Sequence, residues 1–445
     1  MPSIAIIAFH MYPDPEIGAK RVSELANYLV ECGWDVTAIA QTTRGHDPSR
    51  QLRGEITCVR VEQPTAVALR ILRLLGRSSP GAPSGSRQGE AAPALGPRER
   101  ALPARALAQI EWHYHRIVGV LDGTKKWSLA AILAFLRTKR MVRAGCIMVS
   151  GPPWTPVFAG SLIGWHRRLP ALVDFRDPWL DRVREPREYV GLRRWVDLKC
   201  EAFCVRHAGS ITVTTAAFGK TLARRYPEFA HKIHVIRNGY DENLVISAAA
   251  PAGRLSMLYA GTIYMNRNPL PLLQGIADLL AMPGVERSLV RLQLVGECEE
   301  WNGRRVSDIV RELGIDDVVA ILPPVSGSRV REMTMQANVV VNFAQGQPEQ
   351  VPAKLYEQFV SNRYGLLFAE AHSESAVIAA SVGTIFRVDD CAIQVLGALR
   401  HLYDELVVSN RAPVVVSPID VHSRANSNRQ FAQALRELSS ADHRQ

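Results

Sequence analysis

The sequence predicts an α/β protein made of two doubly wound domains that face a cleft. One observation is length, because 445 residues exceed what a single hydrophobic core usually organises. Another is the alternation of short apolar runs with amphipathic stretches, which is typical of parallel strands joined by crossover helices. The third is a turn-rich stretch near residue 240, after which the same alternation starts again.

The first predicted strand, residues 4–9, is a continuous apolar run, which suits a strand covered on both faces. Residues 21–30 form an apolar stripe at helical spacing that stops at Gly33, and residues 35–40 supply the next strand. The remaining strands predicted in this half lie at residues 146–150, 172–175, 211–214 and 233–236.

These patterns place an N-terminal domain at residues 1–240 and a C-terminal domain at residues 241–425. Residues 74–107 are rich in Ser, Pro, Gly and Ala, so we expect a flexible insertion there. We expect residues 426–445 to form a helix that packs back on the first domain. In doubly wound domains, ligands bind beyond the carboxyl ends of the strands.

Composition limits the class of protein. The chain is 47% hydrophobic and 22% charged, which fits a globular protein. The opening residues lack the basic segment and cleavage site of a signal peptide, and the longest plain apolar run, residues 129–136, is too short to span a bilayer. The seven cysteines show no metal-binding spacing. We therefore expect a cytoplasmic protein in a reducing compartment.

The formal charge of +10 predicts attraction to phosphates, acidic lipids or nucleic acid. Two interpretations of the basic runs stay open, a solvated face and a peripheral contact with an anionic membrane. A nucleic-acid-binding protein is disfavoured because no compact module of basic and aromatic residues is present. The runs comprise Arg137, Lys139, Arg140, Arg143, Arg167, Arg168, Arg182, Arg184, Arg193 and Arg194.

The most informative segment, residues 346–357, follows a predicted strand and opens a predicted helix. Pro352 suits a first helical turn, and free N–H groups at a helix start attract a diphosphate. Lys354 adds a positive charge, while the carboxylates of Glu349 and Glu357 are able to accept hydrogen bonds from sugar and ribose hydroxyls. A surface ion pair between Lys354 and Glu357 is the alternative.

Seven residues separate Glu349 from Glu357, and this spacing resembles the E-x7-E signature of the retaining family-4 glycosyltransferases, which have the GT-B fold of two Rossmann-like domains. The resemblance implies that Glu349 contacts the donor sugar and Glu357 contacts the ribose of the nucleotide. Other segments similar to bacterial members of that family lie at residues 9–21, 150–153, 173–179, 237–241 and 259–262.

The resemblance also implies a donor-binding set. Gly18 would let the backbone approach a phosphate or an acceptor closely. Many members place an arginine just after the turn at Gly261 and a lysine a few residues later. Thr262 and Arg267 stand at those places here, so Arg267 and Lys354 are expected to neutralise the diphosphate.

Arg176 and Asp177 occupy the place where many members carry a histidine. Asp177 is expected to orient or deprotonate an acceptor hydroxyl, and Arg176 to hold an anionic acceptor. The alternative is a purely structural turn with an internal ion pair.

The resulting hypothesis is a retaining hexosyltransferase that uses a nucleotide-diphosphate sugar. Its acceptor would be a glycan of the cell surface, a lipid-linked molecule or a small molecule. We expect no metal and no cofactor, since no Asp-x-Asp segment ends a strand. A catalytically silent partner protein of the same fold is the alternative. A dinucleotide-dependent oxidoreductase is disfavoured because no Gly-x-Gly-x-x-Gly follows the first strand.

Overall fold

The computed structural model describes residues 1–14, 16–43, 51–62, 122–181, 191–242, 253–264, 266–411 and 420–441. The insertion predicted at residues 74–107 lies outside the described residues, as do Arg182 and Arg184. Within the described ranges, two separate parallel sheets form the centres of two doubly wound α/β domains, as the sequence predicts.

The first sheet has seven parallel strands in the order β3-β2-β1-β4-β5-β6-β7. Its strands are β1 Ser3–Ala8, β2 Asp35–Gln41, β3 Thr57–Val61, β4 Cys146–Gly151, β5 Ala171–Phe175, β6 Ser210–Val213 and β7 Ile233–Val235. The central strand β4 is buried along its whole length, which explains why most of its residues are apolar. Strand β3 escapes the sequence pattern because it is a short edge strand with only one fully buried residue.

The helices of the first domain are α1 Ile17–Glu31, α2 Lys125–Arg137, α3 Lys139–Val142, α4 Trp154–Arg167, α5 Leu192–His207 and α6 Ala216–Arg225. Helix α1 packs on one face of the sheet through Val22, Leu25 and Leu29. Helices α2, α4, α5 and α6 pack on the other face. Helix α1 begins four residues earlier than expected, so Gly18 lies in its first turn rather than in a loop.

The second sheet has six parallel strands in the order β12-β9-β8-β13-β14-β15. They are β8 Leu255–Ala260, β9 Val290–Val295, β12 Val319–Leu322, β13 Val339–Phe343, β14 Tyr364–Phe368 and β15 Ile385–Val388, with a small hairpin of β10 Glu300–Trp301 and β11 Arg304–Arg305. The helices are α7 Leu270–Leu280, α8 Val306–Glu312, α9 Gly327–Gln336, α10 Ala353–Gln358, α11 Glu374–Ala379 and α12 Ala392–Tyr403.

The chain passes between the domains twice, and the two crossings lie side by side. The Tyr240 N–H donates to the His422 carbonyl at 3.0 Å, and the Arg424 N–H donates to the Tyr240 carbonyl at 2.9 Å. A Cβ at Gly239 would stand 2.6 Å from the carbonyl carbon of Ser423, so only glycine permits this approach. After the second crossing, helix α13 Arg424–Ala441 buries Phe431 in the core of the first domain.

Candidate active site

Each sheet reverses its strand order at one point, between β1 and β4 in the first sheet and between β8 and β13 in the second. The loops that leave such neighbouring strands in opposite directions open a crevice at the carboxyl edge of the sheet. All the predicted site residues except Arg176 and Asp177 follow one of these four strands. Those two follow β5, which pairs with β4.

The turn after β8 is held tightly against the turn after β9. The Gly261 N–H donates to the Val295 carbonyl at 2.8 Å. Gly296 has a φ of +119°, and a Cβ there would lie 2.1 Å from the Gly261 carbonyl oxygen. A Cβ at Gly261 would itself lie 2.7 Å from the Tyr259 hydroxyl oxygen. Glycine is therefore required at both positions by close packing.

Arg267 returns to the same turn. Its Nη1 donates to the Thr262 carbonyl at 3.2 Å, and the Tyr259 hydroxyl donates to that carbonyl at 2.9 Å. The guanidinium also lies 4.5 Å from the centre of the Tyr264 ring. The Thr262 hydroxyl is 3.5 Å from a carboxylate oxygen of Glu297. The structure thus brings Gly261, Thr262 and Arg267 together.

Lys354 lies in the first turn of α10, which follows β13. It joins this group across the switch point of the second sheet, the place between β8 and β13 where the strand order reverses. Its ammonium donates to the Ala260 carbonyl, and a Cβ at Gly261 would stand 3.3 Å from Lys354 Nζ. Burial lowers the pKa of Lys354, and the nearby Arg267 lowers it further, while Glu357 acts in the opposite direction. Two neighbouring cations in a poorly solvated place favour a bound anion.

Helix α10 contributes less to anion binding than the sequence suggests. It has only six residues, and Pro352 is its N-cap rather than a residue of its first turn. Because the dipole of a helix grows from aligned peptide units, a single short turn supplies little of the positive potential. The positive charges that the structure places at the turn around Gly261 are those of Arg267 and Lys354.

Glu357 points across the cleft toward the first domain. Its side chain is 48% exposed, and its carboxylate lies 3.8 Å from Lys20 Nζ on helix α1. Lys20 also lies 3.4 Å from the carboxylate of Asp241. Burial lowers the pKa of Lys20, and the nearby Arg424 adds to that effect. The ion-pair partner of Glu357 is therefore Lys20, and the surface pair with Lys354 that the sequence left open is not what forms.

Glu349 lies in the contact between the domains. Its backbone carbonyl accepts a hydrogen bond of 2.6 Å from the Thr215 hydroxyl, and its carboxylate accepts one from the Thr221 hydroxyl of α6. The next residue, Gln350, donates to the Asp177 carboxylate at 2.8 Å. The loop of residues 346–352, which we call the bridging loop, is thus attached to the first domain at several points.

Arg176 connects two segments of the first domain through hydrogen bonds. Its guanidinium donates to the carbonyls of Gly18 and Pro152, which belong to the segments after β1 and β4. Burial lowers the pKa of Arg176, and nearby Arg21 adds to this effect. A Cβ at Gly18 would lie 2.7 Å from Arg176 Nη1, so the missing side chain at Gly18 makes room for this arginine. Arg176 thus forms hydrogen bonds to backbone carbonyls within the first domain, and its role toward an acceptor stays a prediction.

A buried ion pair near Arg176, formed by Arg21 and Asp174, was not predicted from the sequence. Asp174 is fully buried in β5 and accepts hydrogen bonds from Arg21 Nη2 at 3.1 Å and from the hydroxyls of Ser150 and Thr212 at 2.8 Å. Arg21 also donates to the Ile236 carbonyl at 2.7 Å, and its guanidinium lies 4.6 Å from the Phe431 ring centre. A single acid within an apolar strand was the available signal, since a buried carboxylate needs partners.

The described parts of the chain contain neither a candidate metal-binding group nor a helix suited to span a membrane. Among those residues, no group of three or more His, Cys, Asp or Glu side chains is arranged to hold a metal ion. None of the helices found there is both long enough and apolar enough to cross a bilayer.

Residues 18–239 match the family model of the glycosyl transferase 4-like domain. A curated relative, the D-inositol 3-phosphate glycosyltransferase of Saccharomonospora viridis, is 29% identical over 214 residues. That alignment covers 45% of this chain and 46% of the relative, so the match spans less than half of the relative's length.

Solved structures similar to the whole chain share its fold at low identity. Sucrose-phosphate synthase from Thermosynechococcus elongatus has 16% identity and a TM-score of 0.58, covering 99% of this chain and 100% of that one. Anabaena Alr3699/HepE in complex with UDP-glucose has 11% identity and a TM-score of 0.55, with coverages of 97% and 99%. A Listeria monocytogenes structure named for UDP-N-acetylglucosamine 2-epimerase has 11% identity and a TM-score of 0.51, with coverages of 98% and 96%.

These comparisons agree with the two facing Rossmann-like domains and their strand orders. At such identities, the structural likeness concerns the fold alone, while the family match concerns the first domain. The chain has the GT-B fold, and its residues 18–239 match the glycosyl transferase 4-like domain.

Proposed function

We propose that this protein is a glycosyltransferase that moves a sugar from a nucleotide-diphosphate donor to an acceptor. The observation that carries the proposal is the convergence of Arg267 and Lys354 on the tight turn at Gly261, at the switch point of the second sheet. The family match of the first domain and the UDP-glucose bound by Alr3699/HepE support it.

The chemistry follows from where charge develops. When the bond between the anomeric carbon and the phosphate oxygen breaks, negative charge grows on the diphosphate. Arg267 and Lys354 would stabilise that charge without reorganising, because both are already fixed on backbone carbonyls. The acceptor oxygen bonds to the anomeric carbon, and its proton passes to the leaving phosphate oxygen. This scheme retains the anomeric configuration and needs no metal.

The two glutamates would each contact one of the remaining parts of the donor, the ribose or the sugar. Glu357 stands exposed at the cleft edge, where its carboxylate is able to accept hydrogen bonds from a ribose. Glu349 would contact the donor sugar after exchanging its hydrogen bond with Thr221 for one with a sugar hydroxyl. The proposal therefore includes a small movement of the bridging loop when the donor binds.

The acceptor would lie between the bridging loop and the first domain. Asp177 is bonded there to Gln350, and it would orient the acceptor hydroxyl once that contact is exchanged. A role for Arg176 toward an anionic acceptor requires its guanidinium to leave the Gly18 and Pro152 carbonyls. The acceptor class is a glycan, a lipid-linked molecule or a small molecule. The seven cysteines are free thiols, which supports a site of action in the cytoplasm.

Donor binding is tested by thermal shift with UDP-, GDP-, ADP- and dTDP-sugars. One nucleotide class should raise the melting temperature of the native protein, and Glu357→Ala should lose most of that rise because the ribose loses its hydrogen-bond acceptor. Glu312→Ala is the matched control, since Glu312 is an exposed acid on α8 of the same domain. Equal shifts in all three proteins would refute the ribose role.

Turnover separates the proposal from two alternatives. Incubation of the stabilising sugar nucleotide with the protein, followed by anion-exchange chromatography, should show release of free nucleoside diphosphate. A catalytically silent protein of this fold would bind the donor and release none. An epimerase, the activity named for the Listeria neighbour, would convert one sugar nucleotide into another without release.

A further inference from the structure

Three neighbouring helices of the first domain expose large apolar side chains to solvent. Helix α4 lies between α2 and α5 and packs against both. On their outer side, Leu129 is 61% exposed, Trp165 is 51% exposed and Trp195 is 56% exposed. The side chains that form this surface, which we call the outer face, include Leu129, Leu133, Leu136, Trp165, Leu192 and Trp195.

Helix α2 is apolar on both of its sides. Trp127, Ala131 and Phe135 are buried in the core of the first domain. Leu129, Leu133 and Leu136 follow one another at i, i+4 and i+7, which places them along a single outward stripe. A solvent-facing helix normally carries polar residues in that stripe, so α2 has the pattern of a helix with a second apolar environment.

The apolar surface continues from α2 to α5 through α4. A groove of about 250 Å³ runs between α2 and α4, and its walls include Leu136, Ile163 and Trp165. The Trp165 ring lies 5.8 Å from Phe203 of α5. On α5 itself, Trp195 and Leu192 extend the surface outward.

The charge on this surface has one sign. Asp197 and Glu201 are the only acidic residues in α2, α3, α4 and α5, and both are buried. Lys126 and Arg137 share the outer side of α2 with the leucines. The exposed cations on or directly beside the three helices include Lys126, Arg137, Arg167, Arg168, Arg194 and Lys199.

We propose that the outer face binds the surface of an anionic lipid bilayer. Leucine and tryptophan side chains enter the boundary between headgroups and acyl chains, while interspersed Lys and Arg bind anionic headgroups. A second copy of this chain is a poor occupant, because two such faces would bring many cations together. The core of a protein–protein interface is depleted of charge, whereas cations here lie among the apolar side chains.

The proposal gives the basic runs of the sequence a partner and stands apart from the catalytic proposal. The outer face is built from helices on one side of the first sheet, whereas the candidate active site lies beyond the carboxyl ends of the strands. Membrane binding is therefore measurable without any sugar nucleotide.

The test is co-sedimentation of the full-length protein with vesicles of phosphatidylglycerol and phosphatidylcholine, and with vesicles of phosphatidylcholine alone. Wild type should bind the anionic vesicles and only weakly the neutral ones, and raised salt should weaken the binding. The double variant Leu133→Glu and Trp195→Glu should lower the partition coefficient by about tenfold or more. The double variant Lys126→Glu and Arg194→Glu should lower it on anionic vesicles selectively.

Matched controls lie in the second domain. Ile393 is 82% exposed on α12, and Arg305 is exposed in the small hairpin, so Ile393→Glu and Arg305→Glu should bind as wild type does. Circular dichroism checks folding, and if the apolar double variant fails to fold, the charge variant decides. Absence of wild-type binding, equal binding to neutral vesicles, or unchanged binding of the outer-face variants would each overturn the proposal.

Discussion

The side chain of Asp174 connects three elements of the first domain through hydrogen bonds. It is fully buried, and its two carboxylate oxygens receive four hydrogen bonds, two from Arg21 and one each from Ser150 and Thr212. These partners come from α1, β4 and β6, which are far apart in the sequence. A buried charge so completely bonded is costly to break, because removing one partner leaves the other uncompensated.

We predict that Asp174→Ala lowers the free energy of unfolding by about 3–5 kcal/mol, since Arg21 would be left buried without its carboxylate. Asp174→Asn keeps the side-chain oxygen and should cost less. Asp308→Ala, which removes an exposed ion pair with Arg311, is the control and should cost at most about 0.5 kcal/mol. Urea unfolding measures all three. Similar losses for Asp174→Ala and Asp308→Ala would show that the buried network adds little.

Lys354 leads to a prediction about pH. Its pKa in the folded protein lies below the ordinary lysine value of 10.5. Donor affinity should therefore fall as pH rises through this lowered pKa, because the ammonium that faces the diphosphate is lost. The contribution of Lys354 to the stability of the free protein should change in the opposite direction and rise between the lowered pKa and 10.5, since this lysine still holds its proton there in the unfolded chain.

Isothermal titration with the donor across alkaline pH checks this prediction. Lys354→Arg should flatten the loss, because arginine stays charged. Burial raises the pKa values of Tyr259 and Cys298 to about 12, so neither group titrates in this window. The pKa of Lys20 is lowered as well, and Lys20→Arg is therefore the control that should keep the pH dependence. An unchanged pH profile in Lys354→Arg would exclude Lys354 as the group responsible.

The residues of the candidate site were predictable to different degrees. Gly261, Arg267 and Lys354 lie together as expected because each follows a strand next to the switch point of one sheet. The contacts of Arg176 were not predictable, since its partners are the carbonyls of Gly18 in the first turn of α1 and of Pro152 after β4. Lys20 was missed for a similar reason, because its two neighbours, Glu357 and Asp241, lie in two other parts of the chain.

At the scale of elements, the bridging loop connects the predicted donor site to the first domain. Thr215 and Thr221 hold Glu349, and Gln350 holds Asp177. The carboxylate of Glu374 receives the Ala217 N–H of the first turn of α6 at 2.5 Å, which adds a further link. The position of the bridging loop therefore depends on the relative position of the two domains.

Removing the Thr221 hydroxyl tests how Glu349 is used. If the Thr221 hydrogen bond competes with the donor sugar, Thr221→Val should tighten donor binding by about two- to tenfold, the range expected for one hydrogen bond. Isothermal titration measures the dissociation constant. Thr334→Val, which removes a hydroxyl bonded within α9, should leave it unchanged. Weaker donor binding in Thr221→Val would mean that Thr221 holds Glu349 in its working position.

Element types were easier to predict than element ends. The strands and most helices follow from apolar runs and helical stripes, because both domains bury one layer against another. The start of α1 was predicted four residues late, since Pro13, Pro15 and Gly18 are typical of loops. The sequence predicted the start of α10 but not its end, which comes after six residues at the buried Phe359 and Val360.

In the whole molecule, the last described helix, α13, packs against the first domain. Helix α13 follows the second domain, yet Phe431 and Leu435 are buried with residues of α1 and β1. Phe431 also lies against the Arg21 guanidinium. Helix α13 and the paired crossings at Tyr240 and Ser423 thus limit how the domains separate.

We predict that Phe431→Ala destabilises the first domain by about 3–5 kcal/mol, because it leaves a cavity in the core and uncovers Arg21. Hydrogen exchange should show lost protection in β4 and β5 while β13 and β14 of the second domain stay protected. Val377→Ala, at an exposed apolar position of the second domain, is the control and should change neither. Loss of protection confined to the second domain would contradict the placement of α13.

The two-domain fold was predictable because its signal is spread over the whole chain, in the repeated alternation of strands and helices. The outer face was not, because in the sequence residues 129–136 are only an apolar run too short to span a bilayer, with no sign of which side chains face the core. Only the structure shows that Leu129, Leu133 and Leu136 face away from the core that Trp127 and Phe135 fill. The relation between the domains likewise depends on hydrogen bonds between distant loops.

A crystal structure with a bound sugar nucleotide would show directly which residues hold the donor diphosphate. We predict that the diphosphate lies within hydrogen-bond distance of Arg267 and Lys354, with the ribose beside Glu357 and the sugar facing Glu349. A diphosphate bound away from the turn at Gly261, or held by the first domain alone, would contradict it.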